Sequence, residues 1–324
     1  MTITLRVLKL MIVSMATLST ILFAGQADAY NEEVWTRSGN NLTGLVKPLS
    51  LQDITGKHNI GISLFMVPAD NVFGLSSVVN FQYAKGISEV ELFLPWAIAV
   101  PDHMDSQGVL GNFGLDIKLF KCIDGNVRVC LGGAVAASFG VMEIFSKDES
   151  LPLPGQTPNN DNSKPVVRLM AWSMGTAAYH EPLYFSPETS VLRPHLFSGL
   201  MWRGLFSQAE IGSEIGIPLL NTKGRDVETM LVYKFALGYR VIDWFAPMAE
   251  VAGWTLVSGK DRDTNIFINI GARFETRGGF APAVMISIPT EKYKGMDASV
   301  YAGISLSYGW KQSKSIGGRR TLLR

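Results

Sequence analysis

The sequence predicts an all-β protein, a transmembrane antiparallel up-and-down barrel of about twelve strands. Three observations predict it. Residues 297–310 alternate, with Val300, Ala302, Ile304, Leu306, Tyr308 and Trp310 on one face and Ser299, Tyr301, Gly303, Ser305, Ser307 and Gly309 on the other. Successive side chains of a strand point to opposite sides, so this segment has one face suited to lipid, ending on aromatics, and one suited to water. Hydrophobic residues make up 47% of the chain and charged residues 18%, yet beyond Tyr30 no apolar run reaches the length of a membrane helix. Apolar residues dispersed by alternation are how a membrane barrel carries its hydrophobicity. The connectors between alternating segments run long, short, long, short, the pattern of outer loops and periplasmic turns.

Taken in order, the chain opens with an export signal. Arg6 and Lys9 form a basic n-region, Leu10 to Ala24 an apolar h-region, and Ala27-Asp28-Ala29 a small-residue cleavage site. Residues 1–29 thus read as a signal peptide, with Tyr30 as the mature start. Residues 30–56 lack alternation and read as a periplasmic lead-in or a small plug. Twelve segments then alternate over 57–310: 57–67, 76–84, 89–98, 109–121, 127–141, 190–201, 205–217, 228–239, 244–256, 265–275, 280–288 and 297–310. Short connectors are expected at 85–88, 122–126, 202–204, 240–243 and 276–279. Long ones are expected at 68–75, 99–108, 142–189, 218–227, 257–264 and 289–296. This places both chain ends in the periplasm, as an even strand number requires. Pro165 to Ala178 is apolar enough for a strand, but counting it makes thirteen and moves every later short turn outside. It is therefore assigned to the long outer loop 142–189, as a helix or a folded-in segment. Residues 311–324 carry Lys311, Lys314, Arg319, Arg320 and Arg324 without an acid. They form a basic periplasmic tail, either solvated or touching anionic headgroups.

Parity predicts the lining of the bore. In 228–239 and just beyond, Leu231, Tyr233, Phe235, Leu237 and Tyr239 face lipid while Lys234, Ala236, Gly238 and Arg240 face in. In 205–217, Gln208, Glu210, Gly212, Glu214 and Gly216 face in. In 265–275, Asn269, Gly271, Arg273 and Glu275 do. Glu89, Glu91, Asp116, Lys118, Arg128, Arg193, His195 and Glu250 complete the inward polar set. Its near balance of acids and bases predicts ion pairs spanning a narrow bore, because confined charges are costly unless paired. These charges either stabilise the barrel alone or line a substrate path past Glu250, Arg240, Lys234, Glu210 and Glu214, gated by loop 142–189. Inward Phe65, Phe93, Phe120, Phe197, Met201, Met248, Met285 and Tyr301 suit an apolar solute or serve as filler. Pro95 and Pro289 are expected near strand ends. Cys122 and Cys130 share inward parity in an oxidising compartment. Exact cross-strand opposition needs a turn wider than Asp124-Gly125 alone, so bonded and unbonded states both stay open.

Other chemistries find little purchase. The 29 basic and 28 acidic residues of the chain come into balance once Arg6, Lys9 and Asp28 are removed, which argues against nucleic acid as a partner. His58, His103, His180 and His195 show no metal-ligand spacing, so neither metal nor cofactor is expected. Neither GxSxG nor a P-loop occurs. His195 and Ser198 have opposite parity and cannot meet on one strand face. His103 and Ser106, beside Asp102 and Asp105, are the one hydrolytic candidate and read more simply as a polar loop tip. Asn159 to Asn162 and Asp261 with Asp263 suit calcium or plain solvation.

The C-terminal half resembles a known family. Met230-Leu-Val-Tyr-Lys-Phe-Ala-Leu-Gly-Tyr-Arg240, Trp244-Phe-Ala-Pro-Met-Ala-Glu-Val-Ala-Gly253, Asn269-Ile-Gly-Ala-Arg-Phe274, Ala283-Val-Met-Ile-Ser-Ile-Pro289 and Gly303-Ile-Ser-Leu-Ser-Tyr-Gly-Trp310 follow in the order seen there. The chain is similar, over residues 190–310 and more loosely over 57–141, to the outer-membrane transporter-like barrels catalogued as "MetA-pathway of phenol degradation" proteins. Glu250 and Arg240 match inward polar positions of that pattern. The long third loop and the basic extension after Trp310 depart from it. The resemblance implies a bacterial outer-membrane channel or facilitator for passive uptake of small hydrophobic or aromatic molecules, without enzymatic activity. The alternatives are a structural or surface-interaction barrel without transport and, less favoured, an outer-membrane hydrolase. The expected partners are outer-membrane lipids, the barrel-assembly machinery and a small hydrophobic solute, the barrel itself being a monomer. N-terminal sequencing of protein purified from the membrane fraction is expected to begin at Tyr30; a retained Met1 contradicts the cleaved signal.

Overall fold

The computed structural model describes residues 47–49, 56, 58–69, 72–101, 107–124, 126–139, 143–145, 189–218, 227–258, 264–276, 279–290 and 300–310. Among them every regular element is a strand: β1 (His58–Ala69), β2 (Val72–Lys85), β3 (Ser88–Pro101), β4 (Gln107–Leu110), β5 (Phe113–Ile123), β6 (Arg128–Phe139), β7 (Glu143–Phe145), β8 (Thr189–Trp202), β9 (Leu205–Pro218), β10 (Glu228–Tyr239), β11 (Phe245–Leu256), β12 (Thr264–Phe274), β13 (Ala283–Pro289) and β14 (Tyr301–Trp310). Twelve of these, all but β4 and β7, form a closed antiparallel barrel. Consecutive strands pair around the ring, and β1 closes it on β14 from His58↔Trp310 to Met66↔Ala302. Closure leaves no sheet edge, which is what lets strands cross a bilayer with their backbone polar groups satisfied.

Burial follows the predicted parity and inverts that of a water-soluble protein. Along β10, Met230, Val232, Lys234 and Ala236 are buried while Leu231 and Phe235 are exposed. The largest fully buried side chains include Arg193, Arg273 and Lys118, whereas Ile211, Ile270, Leu196 and Leu131 lie on the outer surface. Among the described residues, the exposed charges Lys85, Lys121, Asp124, Arg203, Glu228 and Asp243 fall at or near strand ends. A Lys or Arg facing lipid at mid-depth costs about 2–4 kcal/mol, so their place at the ends is the physically required one. Trp244 stacks on Phe274 at 6.2 Å and Phe245 lies 5.3 Å from it, forming an aromatic patch at the short-turn end. Such rings favour the headgroup level.

The strands are longer than alternation alone predicts. β1 and β2 leave only residues 70 and 71 between them, where an eight-residue connector was expected at 68–75, and β3 runs on to Pro101. Beyond the bilayer neither face must be apolar, so alternation fades while the hydrogen-bonded ladder continues. Expected strand 109–121 is two pieces, β4 and β5, broken at Gly111-Asn112. Pro95 therefore lies inside β3 rather than near its end; it faces this break and accepts a hydrogen bond from the Gly111 N–H at 2.8 Å. Pro tolerates such an irregularity because the ladder there is already interrupted. Of the expected outer loop 142–189, Glu143–Phe145 forms β7 on β4; residues 146–188, including Pro165 to Ala178, lie outside the described residues. So do the expected signal peptide 1–29, most of 30–56, His103, His180, Asn159 to Asn162, Asp261 and Asp263, and residues 311–324. At the opposite end, β13 begins at Ala283 rather than residue 280. Ala281 N still donates to Ser307 O at 2.7 Å and Gly309 N to Gly279 O at 2.9 Å, so this stretch continues the contact with β14 outside regular pairing. The β8–β9 turn is the tightest kind: Arg203 (φ 44°) and Gly204 (φ 90°) both take left-handed backbone, the combination that matches strand twist in a two-residue hairpin.

Cys122 and Cys130 are direct cross-strand partners and form a disulfide, with Cα atoms 4.0 Å apart. The turn that permits this opposition is 124–127, wider than Asp124-Gly125. Four inward phenylalanines lie over glycines directly opposite them: Phe65 over Gly303, Phe93 over Gly114, Phe197 over Gly132 and Phe206 over Gly238. A Cβ at Gly238 would stand 2.3 Å from the Phe206 ring, and one at Gly114 2.1 Å from Phe93. The rings thus occupy space that only glycine leaves, which lets large groups fit inside a small barrel. Gly238→Ala is expected to lower stability by about 1–3 kcal/mol through overpacking, with a less-than-additive loss when combined with Phe206→Leu. Urea unfolding in lipid vesicles checks both.

Candidate functional site

The bore is lined by one charged wall, one apolar band and a short piece of the N-terminal segment. The charged wall runs over β3, β5, β8 and β9. Lys118 on β5 reaches Glu89 Oε1 at 2.8 Å and Glu91 Oε2 at 2.7 Å on β3, with Asp116 Oδ2 at 4.0 Å. Asn80 Nδ2 donates to Glu91 Oε1 at 2.9 Å. Arg193 on β8 lies 3.8 Å from both Glu210 and Glu214 on β9. His195 Nε2 stands 3.7 Å from Asp116 Oδ2, and its Nδ1 is 3.3 Å from the Arg193 carbonyl. Lys234 is buried and faces Glu210 across the β9–β10 ladder. These side chains sit where they do because they occupy inward positions at matching depth on neighbouring strands.

The balance of charges led us to expect ion pairs spanning the bore; among the described residues, Lys118 and Arg193 instead bind acids on the strand beside their own. These cations join adjacent strands, β3 to β5 and β8 to β9, while His195 on β8 approaches Asp116 on β5 past β6. Directly opposed side chains on paired strands have Cβ atoms only about 4.5–5.5 Å apart, so neighbours outcompete partners across the lumen. Arg128, expected inward, lies opposite the buried Met201 and pairs with Asp124 in the β5–β6 turn.

The remaining predicted residues form two further groups. Arg240, just past β10, donates from Nη2 to Glu275 at 2.8 Å near the short-turn end. Arg273 and Glu250 hold the N-terminal segment. Arg273 donates from Nε to the Lys47 carbonyl at 2.7 Å and from Nη2 to the Pro48 carbonyl at 2.9 Å. Its Nη1 also reaches the Ala281 carbonyl at 3.0 Å. Glu250 accepts a hydrogen bond from the Leu49 N–H and lies 3.5 Å from Asn269 Nδ2. Of the expected path, Glu210, Glu214 and Lys234 lie on β9 and β10, Glu250 holds Leu49, and Arg240 pairs with Glu275.

The apolar band comprises Phe120, Cys130, Ala134, Phe197, Met201, Phe206, Ala246 and Met248, with a smaller patch of Phe65 and Met285. Leu49 packs against both. A small void beside it is lined by Phe65, Met285, Gly303 and Ser305 among others. The inward Phe, Met and Tyr301 side chains singled out from parity are all buried. Residues 47–49 were not singled out, because a segment without alternation offers no parity to read. Pro48, next to Leu49-Ser50-Leu51 and just ahead of β1, is the available sequence signal. Ser198, on the β8 face opposite His195, stays away from the Asp116–His195 pair, as parity requires.

No protein-family model and no curated protein sequence matches the chain. Among solved structures it is similar to the COG4313 outer membrane channel from Pseudomonas putida F1, with 8% identity, a TM-score of 0.57, and cover of 82% of this chain and 100% of that one. It also aligns with the NanC porin (6% identity, TM-score 0.46, 78% of this chain and 100% of that one). A third is the translocator domain of the autotransporter NalP from Neisseria meningitidis (10% identity, TM-score 0.43, 80% and 90%). The first likeness shows the fold, that of an outer-membrane barrel.

Lys118→Met leaves Glu89 and Glu91 without their cation, and an uncompensated buried charge typically costs about 3–5 kcal/mol. Equilibrium unfolding in vesicles is expected to show that loss. The triple variant with Glu89→Gln and Glu91→Gln should recover most of it.

Proposed function

We propose that this chain is a bacterial outer-membrane channel or facilitator for passive uptake of small, hydrophobic or aromatic molecules. In this reading it is exported through a cleaved signal peptide, inserted by the barrel-assembly machinery and works as a monomer among outer-membrane lipids. The observation that carries the reading is the lining of the bore. A lumen built only for rigidity needs paired charges. This one also carries a continuous band of Phe and Met side chains, with Leu49 resting on it and polar groups beside it. An apolar surface with a few placed polar groups is what a small-molecule site requires. The resemblance of residues 190–310 to the MetA-pathway barrels supports the same class of solute, and the similarity to the Pseudomonas putida channel supports the barrel that holds it. Asp116 and His195 are enclosed in the bore with Ser198 on the other face, which supports passage over catalysis by these residues.

One observation favours the sealed structural barrel instead: the same aromatic band and the Lys47–Leu49 segment fill the lumen. Conductance separates the two. In the channel reading Arg273 and Glu250 tether a displaceable occupant. Planar-bilayer recording should then give small conductance steps for the wild type and several-fold larger ones for Arg273→Ala, which frees the Lys47 and Pro48 carbonyls. Silence from the wild type, from Arg273→Ala and from a variant lacking residues 146–186 would refute transport.

A further inference from the structure

Charges in the bore are not balanced where they meet. Glu89, Glu91, Asp116, Glu210 and Glu214 share the charged wall with Lys118 and Arg193, and Lys234 faces Glu210. The wall's own cations are engaged: Lys118 is held between Glu89 and Glu91, and Arg193 between Glu210 and Glu214. A further cation comes from the segment inside the bore. Lys47 lies close enough for its charge to act on Glu91. Two residues along, Leu49 rests on Phe65, Met285 and the Phe120–Met248 band, with its N–H on Glu250. One short peptide thus carries an ammonium group whose charge acts on the acidic wall and an aliphatic side chain that packs on the aromatic one.

Asp116 supplies an independent observation. It is fully buried, and neither of its carboxylate oxygens has a hydrogen-bond donor among the described residues. Its neighbours Lys118 Nζ at 4.0 Å and His195 Nε2 at 3.7 Å stand beyond hydrogen-bonding range. A buried carboxylate left in this state costs free energy that a donor-bearing cation would recover. Ammonium and amidinium groups carry several N–H donors and no acceptor, which suits a wall of acceptor-only oxygens.

We propose that the bore selects amphiphilic cations: small molecules with an N–H-bearing positive head and an aromatic or aliphatic body. The head is held by Glu91 and Asp116, and the body by the Phe65–Met285 patch. Lys47 and Leu49 are the built-in stand-in that such a molecule displaces. This names the solute class for the channel reading above and rests on it. A neutral hydrophobe would use the apolar band and leave the acidic wall unanswered.

Swelling of proteoliposomes at low ionic strength tests it, with benzamidinium chloride, sodium benzenesulfonate and neutral arabinose as probes. A single nearby carboxylate changes the preference for a cation by about tenfold in a medium of intermediate dielectric. Benzamidinium is therefore expected to enter about tenfold faster than benzenesulfonate. Asp116→Asn should remove most of that preference, Lys47→Gln should raise the benzamidinium rate, and Lys121→Gln, on the lipid face, should change neither. Glu91→Gln serves the same purpose should Asp116→Asn fail to insert. Calorimetric titration of detergent-solubilised protein with benzamidinium should likewise show saturable binding that Asp116→Asn or Glu91→Gln weakens. Equal entry of the two aromatic ions, faster entry of the anion, or a preference unmoved by both carboxamide variants overturns the proposal. Entry of arabinose without either aromatic ion overturns it while showing that the barrel conducts solutes. Exclusion of all three probes by wild type and Lys47→Gln overturns the channel reading and this proposal together.

Discussion

Everything in this molecule follows from the need to satisfy backbone N–H and C=O groups where no water can reach them. Strands meet that need only by pairing on both sides, so β1 must close on β14, and a closed ring has an outside and an inside that alternate residue by residue. The chain then places leucine, isoleucine and phenylalanine outward and keeps lysine, arginine and glutamate for the lumen. The burial of Arg193, Arg273 and Lys118, which would be anomalous in a soluble domain, is here a direct outcome of closure.

Closure at this strand number creates a second constraint, limited room. The interior must hold six or more charged side chains together with large aromatics. Two devices make that possible. Phenylalanines lie across glycines on the next strand, so the rings take space vacated by missing Cβ atoms. Charged groups pair with their lateral neighbours, which keeps them against the wall and leaves room inside for the Lys47–Leu49 segment. Arg273 and Glu250 are spent on that segment, the first through two of its carbonyls and the second through an N–H.

Alternation made the barrel legible before any coordinate was known, and it did so best where the bilayer acts on both faces. Lys234, Glu210, Glu214, Asp116, Arg193 and Arg240 all point where parity places them. The same signal weakens outside the membrane, which is why the ends of β1, β2 and β3 and the break at Gly111-Asn112 were not visible. Partner choice was not legible either. Parity assigns a face but says nothing about depth, and the tilt of the strands decides that Lys118 meets Glu89 and Glu91 while Arg240 meets Glu275. The disulfide depended on the length of the turn from Asp124 to Val127, which sequence left open. A plug from residues 30–56 was one of two readings of that segment, but which of its residues enter the bore was hidden because residues 47–49 belong to no repeating pattern.

The central claim is that adjacent residues of one strand face opposite solvents, acyl chains outside and the lumen inside. Spin labels at Phe235→Cys and Ala236→Cys, read in lipid vesicles for collisions with oxygen and with a water-soluble nickel chelate, test it most directly. The account predicts high oxygen and negligible nickel accessibility at position 235, with oxygen accessibility falling sharply at position 236. Equal oxygen accessibility at the two positions, or a reversed order, would contradict it.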